Sequence, residues 1–299
     1  MTVRNVAAVS LAIVVIISLV SIWFYPSIQD FMLANPFWNG LRSFSREFNA
    51  TWINSLPGVS RNPQATTLIA IPYAPYSQGD AREVERFVRD GGLLVLLDDY
   101  GYGNSLLSEL GLPARFSGRP LLDPLFSYRN EWLPRITDFY PELAEADIKA
   151  IVLNHGTALV SVDSAQVLAR SSPSSFLDVN GNGVKDKEEP QGPFPVAAVS
   201  RLGNGTVLLV SDPSILVNSM VGRDDNRAFL NHLINRYGQG SNVLVDISHL
   251  PKAPLDESKL RLIQTRQRIA HPYSIAAMLG VVILLVLRPL SRREPVEHK

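Results

Sequence analysis

The sequence predicts a layered α/β domain with a mostly parallel sheet and one transmembrane helix at each end. Three observations carry this. Val6–Tyr25 is twenty residues without a charge, and a second apolar run precedes Arg288. Between them, short β-rich apolar runs alternate with amphipathic stretches. Of 299 residues, 46% are hydrophobic and 19% charged, which supplies core material and excludes a largely disordered chain.

The first apolar run has the length that crosses a bilayer core as a helix. Trp23, Phe24 and Tyr25 close it as an interfacial belt, and Pro26 stops it. Its length and the lack of a small-residue cleavage site predict an uncleaved anchor over 1–26. Ile275–Leu287 is apolar throughout, with Arg268 and Arg288 on its flanks, and predicts a second span over 272–290. A buried core helix is the alternative there. The positive charges beside the two spans balance between their two sides, and the Arg292–Arg293 pair tilts the termini towards the cytoplasm. The expected domain is then extracytoplasmic and both termini are cytoplasmic.

Between the spans, 27–61 is rich in aromatic, Asn and Ser residues without a period and reads as a stalk. The α/β domain is expected over 62–250. Thr67–Pro72 is a buried-strand run. Asp80 with Glu83 has the spacing of a capping box, Val84, Phe87 and Val88 follow at helical spacing, and Gly91–Gly92 ends the helix. Leu93–Leu97 is a second buried strand, and Leu106, Leu107 and Leu110 open another helix. This strand–helix–strand–helix order predicts parallel pairing. Ile148–Leu153 and Ala158–Val162 are strand-like. Val196–Val199 and Thr206–Val210 flank a Gly-Asn-Gly turn, which signals a hairpin. A helix is expected over Asn226–Tyr237, capped by Asp225. A charged juxtamembrane helix is expected within 251–271, and a basic tail over 291–299.

Composition excludes several functions. Lys+Arg and Asp+Glu are both 28, unlike the basic balance of a general nucleic-acid binder. Cysteine is absent, which removes disulfides, thiolate metal sites and any cysteine nucleophile.

The stretches GGLLVLLDDYGYGNSLLSELG, GPFPVAAVSRLGNGTVLLVSDPSILVN and DNRAFLNHLIN, in that order, resemble the prokaryotic family called domain of unknown function 4350, over roughly residues 65–237. The resemblance implies flanking transmembrane helices and a flavodoxin-like fold similar to class I glutamine amidotransferases. Enzymes of that class carry a cysteine at a sharp strand-to-helix turn. The matching turn here is Leu97-Asp98-Asp99-Tyr100-Gly101. The resemblance therefore implies the fold without the reaction.

Asp178–Glu189 matches the twelve-residue calcium loop D-x-[DN]-x-[DN]-G-x5-E. Asp178, Asn180 and Asn182 occupy positions 1, 3 and 5, and Gly183 the sharp turn at 6. Val184 offers its carbonyl at 7, Asp186 sits at 9, and Glu189 at 12 supplies up to two oxygens. The flanks, Ser-Pro-Ser-Ser before and Pro-Gln-Gly-Pro after, are not a helix pair. A structural Ca2+ pinning a long excursion is the expectation; a polar surface turn is the alternative.

Asp98, Asp99 and Tyr100 end one predicted strand, and Asp212 and Ser214 follow another. Open α/β sheets place ligands at such ends. They form a candidate ligand pocket, although strand-end Asp residues equally cap the next turn. His155 follows a further strand and joins them as a candidate for acid–base work, or serves as a turn residue. Arg223–Arg227 opens the last helix and reads as a cap with solvated charges. No P-loop, zinc spacing or Gly-x-Ser-x-Gly elbow appears. The functional expectation is a non-catalytic binding or scaffold module, anchored in the bilayer and holding a protein or glycan partner in a cell-envelope complex, with no nucleic acid. The rival is an envelope hydrolase using Asp98, Asp99 or Asp212 with His155.

Overall fold

The computed structural model describes residues 3–238, 242–251 and 253–269. The described residues fall into two compact units, those within 1–25 and 253–269, and those within 26–251.

In the first unit, helix α1 (Val3–Phe24) contains Asn5–Phe24, which is long and apolar enough to cross a membrane. Helix α7 (Pro254–Ile269) lies within the 251–271 stretch where a charged helix is expected. Arg266 lies over the Trp23 ring at 5.6 Å, and Lys259 Nζ donates to the Tyr25 carbonyl at 2.8 Å. The expected second span over 272–290 and the tail over 291–299 lie outside the described residues.

The second unit is built on an eight-stranded sheet. In chain order its strands are β1 (Thr51–Ile53), β2 (Thr66–Ala70), β3 (Leu93–Leu97), β4 (Asp138–Phe139), β5 (Gln166–Arg170), β6 (Pro195–Leu202), β7 (Gly205–Val210) and β8 (Asn242–Asp246). The spatial order is β1-β8-β2-β3-β7-β6-β5-β4. The first five are parallel neighbours, and the last three join antiparallel. β2, β3 and β7 are buried along their whole length, as strands covered on both faces must be. The β6–β7 turn explains the change of direction. It is too short for a crossover, and a Cβ on Gly205 would sit 2.0 Å from the Val88 carbonyl oxygen.

Helices α3 (Gln78–Arg89) and α4 (Asn104–Glu109) cover one face. Val84, Phe87, Leu106 and Leu107 pack there on Leu68, Leu94, Leu96, Val207 and Leu209. The alternate residues Ile69, Val95, Leu97, Leu208 and Val210 are buried towards the other face. There α6 (Asn226–Tyr237) buries Phe229, Leu230, Leu233 and Ile234, and its C-cap Gly238 abuts Thr67 and Leu93. Two short helices, α2 (Arg42–Glu47) and α5 (Pro141–Glu145), complete the α-helices among the described residues.

Several expectations need correction. The stalk is not a tether: Leu41, Phe44 and Leu56 are fully buried, and β1 pairs with β8. Its order comes from side chains bonding to the backbone, which leaves no apolar period to read. Asn218 Nδ2 donates to the Asn35 and Phe37 carbonyls at 3.1 and 2.5 Å, and its Oδ1 accepts the Ser43 N–H at 2.8 Å. The cap of α3 is Ser77, whose Oγ accepts the Asp80 N–H at 3.2 Å, so the helix starts earlier than expected. Asp225 precedes α6 but its carboxylate accepts the Lys149 and Ala150 N–H groups instead. Ile151–Val152 and Leu159–Val160 form two-residue ladders outside the main sheet.

Candidate functional site

Parallel strands point their carboxyl ends to one edge, so the segments after β2, β3, β7 and β8 meet there. The chain leaves β3 towards α4 on one face and leaves β7 towards α6 on the other. The adjacent strands β3 and β7 therefore part at their ends, which is where open α/β sheets hold ligands. A cavity of about 300 Å3 lies at this place.

β3 delivers Asp98 and Asp99 side by side. Asp98 is buried, and its Oδ1 accepts the N–H groups of Tyr100 and Gly101, both at 2.9 Å. Its Oδ2 accepts the Gly103 N–H at 2.6 Å. Burial pushes its pKa up while these N–H groups pull it down, and the net direction is upward. Asp98 thus closes the turn and does not line the cavity. Asp99 does line it. Burial and the neighbouring Asp98 charge push Asp99 up to about 7. Tyr100 extends beyond it, 60% exposed.

β7 delivers Asp212, which is fully buried. Its Oδ2 accepts the Asn154 N–H at 2.7 Å and its Oδ1 the Ser214 N–H at 2.6 Å. Burial pushes it up to about 8, with the Asp99 charge adding to the rise. Ser214 and Asn154 line the cavity in front of it. His155 also lines it, with a positive φ of 57°. Its ring stacks on Trp132 at 4.8 Å, and burial pushes its pKa down, which favours the neutral ring. Among the described residues no hydrogen bond joins His155 to Asp99, Asp212 or Ser214. Of the sequence-predicted pocket, Asp99, Tyr100 and Ser214 share one cavity with His155, whereas Asp98 and Asp212 serve as caps behind it.

The opposite wall comes from the segment expected to be a stalk. Asp30, Phe31, Trp38 and Asn39 line the cavity, joined by Tyr73 after β2. Phe31 is buried at a φ of 58°, a costly conformation for a bulky residue. It is held by an asparagine network: Asn35 Nδ2 donates to the Asn39 side chain at 3.0 Å, and Asn39 donates to Asp30. Sequence reasoning missed these residues. The concentration of asparagines and aromatics was the available signal. It also missed Asp246 at the end of β8, whose carboxylate bonds His249 Nδ1 at 2.7 Å and Ser248 Oγ at 2.5 Å. Burial raises Asp246, but these bonds outweigh it and hold it below the ordinary carboxylate range.

The Asp178–Glu189 loop stands beside this edge. A Cβ on Gly183 would come within 3.9 Å of the Trp132 ring that stacks on His155. Asp178 is buried, with Oδ1 accepting the Gly181 N–H at 2.7 Å and Oδ2 the Gly183 N–H at 2.8 Å. Glu189 accepts the N–H groups of Val179 and Asp186 at 2.7 and 3.1 Å. Asn180 and Asn182 both donate to Asp186 Oδ2, at 2.7 and 2.9 Å. Val184 is 64% exposed, and its side chain has no ligating atom, so only its backbone carbonyl could serve as a ligand. Among the described residues no three Asp, Glu or His side chains group as a metal site.

No curated protein matches the chain. Among solved structures, the "mmIFT52 N-terminal domain" is similar with a TM-score of 0.45 and 13% identity, over 56% of this chain and 76% of that one. A beta-galactosidase from Bacillus circulans sp. alkalophilus is similar with a TM-score of 0.36 and 16% identity, over 57% of this chain and 22% of that one. The chain thus spans about a fifth of that enzyme, and likenesses this distant say nothing of activity. The family model described as Domain of unknown function (DUF4350) matches residues 45–234, a stretch that includes β3, β7 and the Asp178–Glu189 loop but not the Asp30–Asn39 wall of the cavity. With well over half of its length matched, the chain belongs to that family.

Proposed function

We propose that the protein is a membrane-anchored, non-catalytic binding module of the cell envelope that holds its ligand in the crevice between β3 and β7. One observation carries this reading. The buried carboxylates of Asp98 and Asp212 are both engaged by backbone N–H groups, and the cavity in front of them has aromatic walls without a nucleophile–base pair. The carboxyl-edge crevice also supports a flavodoxin-like, amidotransferase-like fold, with Asp98 and Asp99 at the turn where that class carries its cysteine. In this reading α1 and the 272–290 segment span the bilayer, and the 26–251 body faces outside and meets a protein partner.

The Asp178–Glu189 loop completes the proposal as a structural calcium site. Its donors are all hard oxygens. Asp178 and Glu189 are buried carboxylates held by N–H groups, and Asn180, Asn182 and Asp186 already reach one another. Bound Ca2+ would neutralise these charges and stiffen the support of Trp132, and through it His155.

A second reading, an envelope hydrolase, draws on Asp99. A carboxyl group with a pKa of about 7 facing the same cavity as His155 has the protonation balance of a general acid or base. The two readings part on turnover. The purified full chain should hydrolyse neither glutamine nor chromogenic ester, phosphate and glycoside substrates. Turnover that Asp99→Asn abolishes would establish the hydrolase instead.

A further inference from the structure

We propose that the crevice binds a small organic cation, an alkylammonium group seated on the Tyr73 and Tyr100 rings against the Asp99 carboxylate. This rests on the binding-module reading and names the ligand class of that site.

The walls come first. Phe31, Tyr73 and Tyr100 follow one another along the cavity, with ring centroids 5.9 and 5.8 Å apart and planes tilted by 49° and 60°. Tilted rings present faces and edges to the space between them instead of stacking flat. Trp38 stands at the mouth, 70% exposed. Ring faces carry the negative lobe of a quadrupole and attract cations, quaternary ammonium groups above all. The cavity volume of about 300 Å3 suits a small ligand.

The charge balance points the same way. Asp30 and Asp99 line the cavity, and no lysine or arginine does. Asp98 and Asp212 lie behind the floor, and the Asp99 charge raises the pKa of Tyr100 and adds to the rise that burial gives Asp212 and Tyr73. Burial disfavours the charged form of His155, the one lining residue able to carry positive charge. An anion would be repelled. A neutral sugar would use the rings but leave Asp99 without a counter-charge. A cation supplies that charge and uses the ring faces at the same time.

The test is calorimetric titration of the full chain in maltoside micelles at about pH 8. Choline should bind saturably, about tenfold or more tighter than 3,3-dimethylbutan-1-ol, its neutral carbon analogue. Asp99→Asn and Tyr100→Ala should each weaken choline about tenfold. Tyr100 is exposed, so its truncation leaves the fold intact and keeps the test valid if Asp99→Asn misfolds. Acidification to about pH 6 should weaken binding as Asp99 takes up a proton, and Asp99→Asn should lose most of this dependence, with buried Asp212, pushed up to about 8, supplying what remains. The titratable groups facing Asp99 are Asp98 beside it, Tyr73 after β2, Asp212 after β7, Asp30 and Tyr100, with His155 on the same cavity. A further arm supplies phosphatidylcholine or phosphatidylglycerol in mixed micelles. Preference for phosphatidylcholine assigns a lipid headgroup, and choline binding without it assigns a soluble amine. Equal affinity for choline and its neutral analogue, or no choline binding at ~10 mM, overturns the cation assignment and leaves the binding-module reading standing. Turnover lost in Asp99→Asn would overturn the binding-module reading instead.

Discussion

Replacing Asp99 by Asn should make the protein more stable at neutral and alkaline pH. Asn keeps the size of the side chain and removes the charge. In the folded chain Asp99 has a pKa of about 7 against an ordinary 3.8, because burial and the Asp98 charge both oppose ionisation. A carboxyl group raised in the folded state binds its proton more tightly there than when unfolded. Stability therefore falls as pH rises from the unfolded to the folded value, and is constant above it. The two values lie roughly three pH units apart, and 1.36 kcal/mol per unit sets a ceiling of ~4 kcal/mol. Asp99 is partly open to water, which screens its neighbours, so about half of that, ~2 kcal/mol, is the expected gain. For a body of this size it corresponds to a rise of roughly 4–8 °C in melting temperature. The gain should be near zero at about pH 4, grow through pH 4–7 and level off above about pH 8. Thermal melts of wild type and Asp99→Asn across that range, in one buffer series, measure it directly. A variant that is less stable than wild type at about pH 8, or more stable by the same amount at every pH, would show that Asp99 is not an unneutralised strand-end charge. A gain on removal is what a residue kept for its ligand, and not for the fold, should give.

Other outcomes follow from the same geometry. If Asp178–Glu189 holds calcium, the ion should stabilise the fold by about 2.7 kcal/mol at a hundredfold excess over Kd. Asp178→Ala or Glu189→Ala should remove most of that, and identical melts in millimolar calcium and in chelator would reduce the loop to a polar turn. Asn218→Ala leaves the Asn35 carbonyl and the Ser43 N–H without that partner and leaves the Phe37 carbonyl only the Gly40 N–H, so it should cost ~2–3 kcal/mol and expose residues 29–41 to protease. Unchanged cleavage there would mean the wall holds itself. Cysteines placed at Asn49 and Asn204, both exposed, should react with a membrane-impermeant reagent in whole cells. Labelling only after lysis would put the body inside.

The sequence by itself determined the apolar helix, the strands β2, β3, β6 and β7, and helices α3 and α6, because each carries a local pattern. A run such as Leu93–Leu97 is buried on both faces wherever it sits, and Gly203-Asn204-Gly205 turns the chain by its own conformational freedom. The strand ends were legible for the same reason, so Asp99, Tyr100 and Ser214 were found. Their division of labour was not. Whether a strand-end aspartate caps a turn or faces a cavity depends on which backbone N–H groups come within reach, and Asp212 is met by Asn154 from a distant loop. The far wall was decided only by tertiary structure. Residues 26–61 have no period, and their order depends on Asn218, which is 183 positions from Asn35 in the chain. Contacts of that separation leave no trace in local spacing. Closing such a loop costs entropy that many tertiary interactions together must outweigh, so the segment that reads as a stalk in the sequence forms one wall of the cavity.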